Sequence, residues 1–169
     1  MDVLSHGLWG GLLFGKRRFF FWALLLGMAP DLISFGPFFL NWAFHGFPPL
    51  PHAPGLRAPA LEAIPPYVFA AYNVTHSLVV WTVAFLLLWA IFRKPVWIFC
   101  AWGLHILCDI PLHSSRFFPT PFLWPFPTPF VNGMPWSRPW FMVTNYSLLV
   151  LGFILVAWWR KKKTVTCRP

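Results

Sequence analysis

The chain has 169 residues, of which 58% are hydrophobic, 21% are aromatic and 10% are charged. A soluble domain of this size could not bury so much apolar surface, and soluble domains carry charges on about a quarter of their residues. The composition therefore excludes an ordinary soluble protein and predicts a single integral membrane domain over residues 1–169.

The formal net charge of +9 comes from basic residues that are concentrated in short blocks between hydrophobic runs. The blocks are residues 16–18, 93–94 and 160–163. Such blocks are typical of membrane anchoring and orientation, whereas proteins that bind nucleic acids spread their basic residues over one face. We therefore expect membrane lipid as a partner and no nucleic acid, and the sequence leaves the oligomeric state open.

Five hydrophobic segments follow one another along the chain: residues 2–15, 19–40, 72–92, 95–112 and 141–159. A spanning helix needs about 20 apolar residues, so the first segment is short and either crosses the membrane or re-enters it. We predict an all-α polytopic membrane bundle of four to five hydrophobic helices. Within it, Pro30 and Pro37 are expected to bend or end the second helix.

Two connections rich in proline and aromatic residues, 41–66 and 114–140, separate these segments. We expect them to be outer loops that pack at the membrane interface. If the segments alternate, all three basic blocks fall on one side of the membrane, which the positive-inside rule makes cytoplasmic. The sequence thus predicts a multi-pass protein of a bacterial inner membrane with a cytoplasmic C-terminus.

Several ionisable residues lie within these apolar segments. His105, Asp109 and His113 recur every four residues, which places them on one face of a helix. An ionisable side chain in hydrocarbon is costly, so a functional role is expected for it. The predicted metal ligands are His6, Asp31, His76, His105, Asp109 and His113.

Helix geometry predicts that these residues share a depth in the membrane. Counting about 1.5 Å per residue from the nearest basic block places His6 and His105 about 15 Å up their segments. On the same scale Asp31 and Asp109 lie about 20 Å up, and His76 about 25 Å. Separate segments therefore bring their ligand-type side chains to the outer half of the bilayer, where they can form one site.

Four histidines and two aspartates are a donor set that divalent metals favour, most simply zinc, as one or two ions. Bound zinc activates water towards esters, and Asp31 or Asp109 could serve as the catalytic general base. A single buried histidine is more often an ordinary hydrogen-bonded residue, but the whole set favours a metal. Two alternatives stay open: a metal that only clamps helices together, and a His/Asp relay in a proton- or ion-coupled transporter.

Arg116 and Arg138 are isolated basic residues on the predicted outer side. A substrate that carries a phosphate needs cationic groups facing its developing charge, and substrate binding is the role predicted for both. Anchoring at lipid headgroups is an equal alternative for each of them.

Four stretches of the chain resemble, in order, a bacterial family of predicted membrane-bound metal-dependent hydrolases: MDVLSHG (1–7), GMAPD (27–31), YNVTHS (72–77) and LHILCDIPLHS (104–114). That family includes a LexA-regulated inner-membrane protein. The resemblance covers nearly the whole chain and implies a multi-helix inner-membrane protein. It implies metal ligands at His6, Asp31, His76, His105 and Asp109, with His113 as a further candidate.

Residues 105–113 are also similar, more weakly, to the His-x3-Asp…Pro-x-His signature of zinc-dependent phospholipase C and its single-strand nuclease relatives. This similarity gives modest support for phosphoester chemistry. The prediction from the sequence is a membrane-bound metal-dependent hydrolase. Its expected substrate is an ester or phosphoester of a lipid or lipid-linked compound at the outer half of the inner membrane.

Overall fold

A computed structural model describes residues 1–46, 48–51, 60–115, 118–127, 129 and 131–166. The described residues are helical or irregular, with no β-strand among them, so the all-α prediction is confirmed. The α-helices are α1 (Val3–Phe14), α2 (Phe20–Phe44), α3 (Pro66–Thr75), α4 (Leu78–Phe92), α5 (Cys100–Leu112) and α6 (Pro139–Thr166). Short 3₁₀ turns lie at Arg17–Phe19, Leu61–Ala63 and Trp97–Phe99.

Two of these helices, α2 and α6, are long and apolar enough to cross a membrane. Helices α3 and α4 together pass the same test as one span that is bent by 56° at a short break. Helix α1 and the apolar stretch 97–112 are shorter. At about 1.5 Å per residue, neither reaches across a hydrocarbon core of about 30 Å.

Helix α2 differs from its prediction, because it continues through Pro30 and Pro37 and ends only at Phe44. Of the two expected effects of these prolines, a bend or an end, the end does not occur at either of them. Each proline removes one backbone hydrogen bond, but a helix in an apolar protein environment tolerates this loss when neighbouring elements hold it in place. Helix α2 has such neighbours, since it packs against α1, α3 and α5.

The predicted segment 72–92 is divided in the structure by a break at His76 and Ser77. Ser77 has extended backbone angles and accepts a hydrogen bond from the Val80 backbone nitrogen at 3.2 Å, so it caps the start of α4. Serine is among the preferred residues at this position because its side chain satisfies an otherwise unpaired helix N–H. The break leaves His76 at the C-terminal end of α3, where its side chain points into the bundle and is fully buried.

Glycines allow α1 to approach α2 closely. A β-carbon added at Gly27 would lie 2.6 Å from the His6 carbonyl oxygen, and one added at Gly10 would lie 2.8 Å from the Ala23 carbonyl oxygen. Both distances are too short for carbon and oxygen in contact. The two helices can therefore pack at this distance only because these positions carry no side chain.

The second proline-rich connection packs onto the helix ends. Phe118 is buried in a cluster with Phe38, Ile64, Val68 and Tyr72. Further along, the backbone nitrogen of Gly133 donates to the His113 carbonyl at 2.8 Å. These contacts fix the segment that follows α5 and position the end of α5 relative to α3.

A candidate metal centre

Four ionisable side chains meet in the interior of the bundle. Asp31 comes from the middle of α2, His76 from the break between α3 and α4, and His105 and Asp109 from one face of α5. One ligand atom of each lies within 4.8 Å of the others. The group is buried, with Asp31 the most exposed member at 8%.

The ligand atoms are spaced as an ion would space them. His76 Nε2 and His105 Nε2 are 3.1 Å apart. Asp109 Oδ2 is 3.3 Å from His105 Nε2 and 3.7 Å from His76 Nε2. Asp31 Oδ1 is 3.5 Å from His76 Nε2 and 3.8 Å from His105 Nε2. Tetrahedral zinc with bonds of about 2.0–2.2 Å separates its ligands by about 3.3–3.5 Å, so these residues can hold one ion.

The hydrogen bond of His105 fixes its tautomer. Its Nδ1 lies 2.7 Å from the carbonyl oxygen of Gly27. A carbonyl oxygen only accepts, so His105 Nδ1 carries the proton. In the neutral ring Nε2 then presents a lone pair to the cluster, as a metal ligand must.

His76 is held in the same tautomer. Its Nδ1 lies 3.0 Å from Thr75 Oγ1 and 3.2 Å from the Tyr72 carbonyl oxygen. The Thr75 hydroxyl donates to the Ala71 carbonyl at 2.9 Å, which leaves Thr75 Oγ1 to accept from His76. The Nε2 lone pair of His76 therefore also points into the cluster.

Two imidazole lone pairs and two carboxylate oxygens thus converge at 3.1–3.8 Å. Such a group is self-repulsive in a buried environment unless a positive charge lies between its members. A divalent cation supplies that charge, and so does an additional proton. Within the described residues Asp109 Oδ2 makes no hydrogen bond despite complete burial, as expected for an atom whose partner is a metal ion.

The other carboxylate oxygen of Asp109 faces two further histidines. Asp109 Oδ1 is 2.9 Å from His6 Nε2 and 3.6 Å from His113 Nε2, and the Met1 nitrogen donates to the same oxygen. The His6 ring stacks on the ring of His105 with centroids 3.6 Å apart. The structure therefore brings all six residues predicted as ligands into one cluster around Asp109.

Two arginines, Arg116 and Arg138, were predicted to bind the substrate. Arg116 lies outside the described residues. Arg138 immediately precedes α6 and is exposed. No hydrogen bond or ion pair in the described part of the chain connects the Arg138 side chain to the cluster, so its role as a substrate contact stays a prediction.

Tyr72 contacts the cluster, although sequence reasoning assigned it no role. Its hydroxyl donates to the Phe118 carbonyl at 3.1 Å and lies 3.3 Å from His113 Nδ1, while its ring stacks on His76 at 3.8 Å between centroids. The available signal was its position four residues before His76, which places both on one helix face. Tyr72 orients two of the histidines.

A polar network between α1 and α6 was also not predicted. Asn145 donates to Ser5 Oγ at 2.7 Å and accepts from Trp9 Nε1 at 2.9 Å. Tyr146 donates to Asp2 Oδ1 at 3.0 Å. These bonds attach α6 to the end of α1 that carries His6.

An apolar cleft of about 470 Å³ adjoins the cluster, with walls from α1, α5 and α6. Met1 and Leu112 line it, and these residues also adjoin Asp109 and His113. The lining residue Leu107 is 55% exposed, so the cleft opens sideways from the bundle.

No protein-family model, no curated protein and no solved structure matches this chain. What the cluster does must therefore be derived from its own geometry.

Proposed function

We propose that the protein is a membrane-bound metal-dependent hydrolase. The observation that carries the proposal is the buried set of two imidazoles and two carboxylates with ligand spacing. A divalent ion, most simply zinc, supplies a Lewis acid and an activated water when it is bound there. Hydrolysis of an ester and hydrolysis of a phosphoester both need a Lewis acid and an activated water.

The residues of the cluster divide the work by their contacts. His76 and His105 are oriented by backbone and threonine oxygens, so they act as fixed ligands. Asp31 is the most exposed of the four ligands and lies on a different helix from Asp109. Asp31 or Asp109 would take a proton from the attacking water, as a general base does.

The apolar cleft supports a lipid or lipid-linked substrate. It passes from the side of the bundle to Met1 and Leu112, next to the cluster. An acyl or prenyl chain in the cleft would bring a headgroup ester to Met1, whose nitrogen contacts Asp109. Each buried methylene would contribute about 0.8 kcal/mol to binding, which favours a long chain over a short one.

The membrane arrangement belongs to the same proposal. The basic residues after α1, and those between α4 and α5, lie at the helix ends far from His6, His76 and Asp109. With those ends cytoplasmic, the cluster lies in the outer half of a bacterial inner membrane and the C-terminus is cytoplasmic. Four to five segments then enter the membrane, the short α1 and α5 among them.

A metal that only clamps helices is a second candidate, and one observation favours it. Four protein ligands complete a tetrahedral shell, and a closed shell is typical of structural zinc, whereas catalytic zinc keeps an open position. A transporter is less favoured. Ala23 and Ala101, fully buried where α1, α2 and α5 meet, close the space between the cluster and the basic helix ends.

The test uses detergent-purified protein loaded with zinc and two matched phosphodiesters of p-nitrophenol, one with a hexadecyl chain and one with a methyl group. We expect release of p-nitrophenol from the long-chain ester and much less from the methyl ester. His105→Ala should lose metal and activity together. His45→Ala is the control, because His45 is exposed at the end of α2, outside the cluster.

Three outcomes contradict the proposal. If the protein has its full zinc content but hydrolyses neither these esters nor the matching carboxylic esters, the metal that only clamps helices would be the remaining explanation. If the reconstituted protein contains neither zinc nor another transition metal, the His/Asp proton relay would be the remaining explanation. Hydrolysis by His105→Ala at the wild-type rate would place the chemistry elsewhere in the chain.

A further inference from the structure

We infer that Asp109 bridges two metal ions, and that the second ion is held by Asp109 Oδ1, His6 and His113. This inference rests on the proposed metal centre and extends it. In this arrangement Asp31, His76, His105 and Asp109 Oδ2 form a closed shell around the first ion. His6, His113 and Asp109 Oδ1 form an open shell on the other side of the same carboxylate.

The first observation is the orientation of Asp109. Its Oδ2 faces His105 Nε2 and His76 Nε2 at 3.3 and 3.7 Å, whereas its Oδ1 faces His6 and His113 at 2.9 and 3.6 Å. A carboxylate that presents each oxygen to a separate pair of imidazoles has the geometry of a bridging ligand. Bridged two-metal sites place their ions about 3.5–4 Å apart, which one carboxylate can span.

The second observation is the tautomer of His113. Its Nδ1 lies 2.7 Å from the Phe118 carbonyl oxygen, so Nδ1 carries the proton and Nε2 presents a lone pair to Asp109. In the neutral ring, His113 Nε2 and Asp109 Oδ1 are then two acceptors that face each other at 3.6 Å. The Met1 ammonium group donates to Asp109 Oδ1 and brings one positive charge there, whereas a metal ion would also pair with the lone pair of His113.

The third observation is the unsatisfied state of His6. The side chain is 1% exposed, and neither of its ring nitrogens makes a hydrogen bond within the described part of the chain. Its Nε2 nevertheless lies 2.9 Å from Asp109 Oδ1. A buried polar atom without a hydrogen bond calls for a specific partner, and a metal ion on this side of Asp109 is one that also suits His113.

The two shells differ in the number of protein ligands, and this difference assigns their roles. The shell around Asp31 has four ligands and is closed. The shell of His6, His113 and Asp109 Oδ1 has three side chains, which is the number of protein ligands that a catalytic zinc ion has. His113 is also the more accessible histidine, with its side chain 12% exposed. The closed ion fixes the helices and the open ion meets the substrate.

The experiment counts zinc by elemental analysis in purified, zinc-saturated protein, in the absence of substrate. We expect two equivalents in the wild type and one in His113→Gln. Glutamine at this position can still donate to the Phe118 carbonyl, so the variant separates loss of a ligand from loss of packing. His6→Gln should also retain one equivalent, and His45→Ala should retain two.

One equivalent in the saturated wild type would overturn the inference, and so would two equivalents in both His113→Gln and His6→Gln. Activity is read separately. If the protein binds two ions but does not hydrolyse the ester, the bridged centre is supported and the hydrolase proposal is contradicted. If it binds one ion and hydrolyses the ester, the hydrolase proposal is supported and the bridged centre is contradicted. The zinc content of the wild-type protein tests the inference even if the variants fail to fold.

Discussion

Thr75→Val tests how the tautomer of His76 is fixed. Valine has nearly the shape of threonine but cannot accept the proton of His76 Nδ1, which lies 3.0 Å from Thr75 Oγ1. The remaining acceptor, the Tyr72 carbonyl, is further away at 3.2 Å. Without the hydroxyl the ring can move its proton to Nε2, the atom that must be free to bind a metal.

The size of the effect follows from these distances. Loss of an outer hydrogen-bond partner lowers metal affinity by about 10- to 100-fold. Because the Tyr72 carbonyl can still accept the Nδ1 proton and so still favours this tautomer, we expect a loss at the low end, about 10-fold or about 1.4 kcal/mol. The hydroxyl also donates to the Ala71 carbonyl, so the free energy of unfolding should fall by about 1 kcal/mol independently of metal.

The assay is a competition titration of zinc between the detergent-purified protein and a chromophoric chelator. Thr144→Val is the matched control, because Thr144 makes the same kind of hydrogen bond to a helix carbonyl, at 2.9 Å to Trp140, on an exposed part of α6. Wild-type zinc affinity in Thr75→Val would refute the reasoning about His76. An equal loss in Thr144→Val would show a general effect of the substitution.

Three other predictions concern the helices around the centre. Gly27→Ala should lower the free energy of unfolding by about 1–3 kcal/mol and reduce the zinc content, because the added β-carbon would meet the His6 carbonyl. Gly36→Ala is the control, because the same helix has open space around Gly36, and it should not destabilise the protein. Equal melting temperatures for the two variants would contradict this packing. Asn145→Ala should destabilise by about 1–3 kcal/mol in thermal melts by leaving its buried partners unpaired, whereas Asn132→Ala, at an exposed site, should change little. A reporter fused after residue 163 should give a cytoplasmic signal, and a periplasmic one would invert the proposed topology.

The chemistry-bearing residues could be found from the sequence because apolar surroundings make them conspicuous. An ionisable residue in a hydrophobic segment has few reasons to be there, and helix spacing alone put His105, Asp109 and His113 on one face. A constant rise per residue also predicted that residues from different segments share a depth in the membrane, which stays a prediction. The structure does bring Asp31 and His76 beside His105 and Asp109 of α5.

The boundaries and the supporting contacts could not be predicted so well. Local rules predict a bend or an end of the helix at Pro30 and no break at His76, whereas in the structure the helix continues through Pro30 and a break lies at His76. Packing against neighbouring helices offsets the local cost of proline. The serine cap starts a new helix inside an apolar segment that the sequence predicts to be a single span. Contacts such as that of Gly27 with His105 depend on the arrangement of three helices, which no spacing in one segment reveals.

The short helices are informative about the function. Helices α1 and α5 contribute His6, His105 and Asp109, yet both are too short to cross the membrane alone. Both helices line the cleft, through Trp9 and Leu13 of α1 and Leu104 and Leu107 of α5. A pure helix clamp needs no such opening, because a closed four-ligand shell binds its ion wherever helices cross. The cleft next to the three-ligand side of Asp109 is what a hydrolase of lipid esters requires, and it is the feature that favours catalysis over a structural metal.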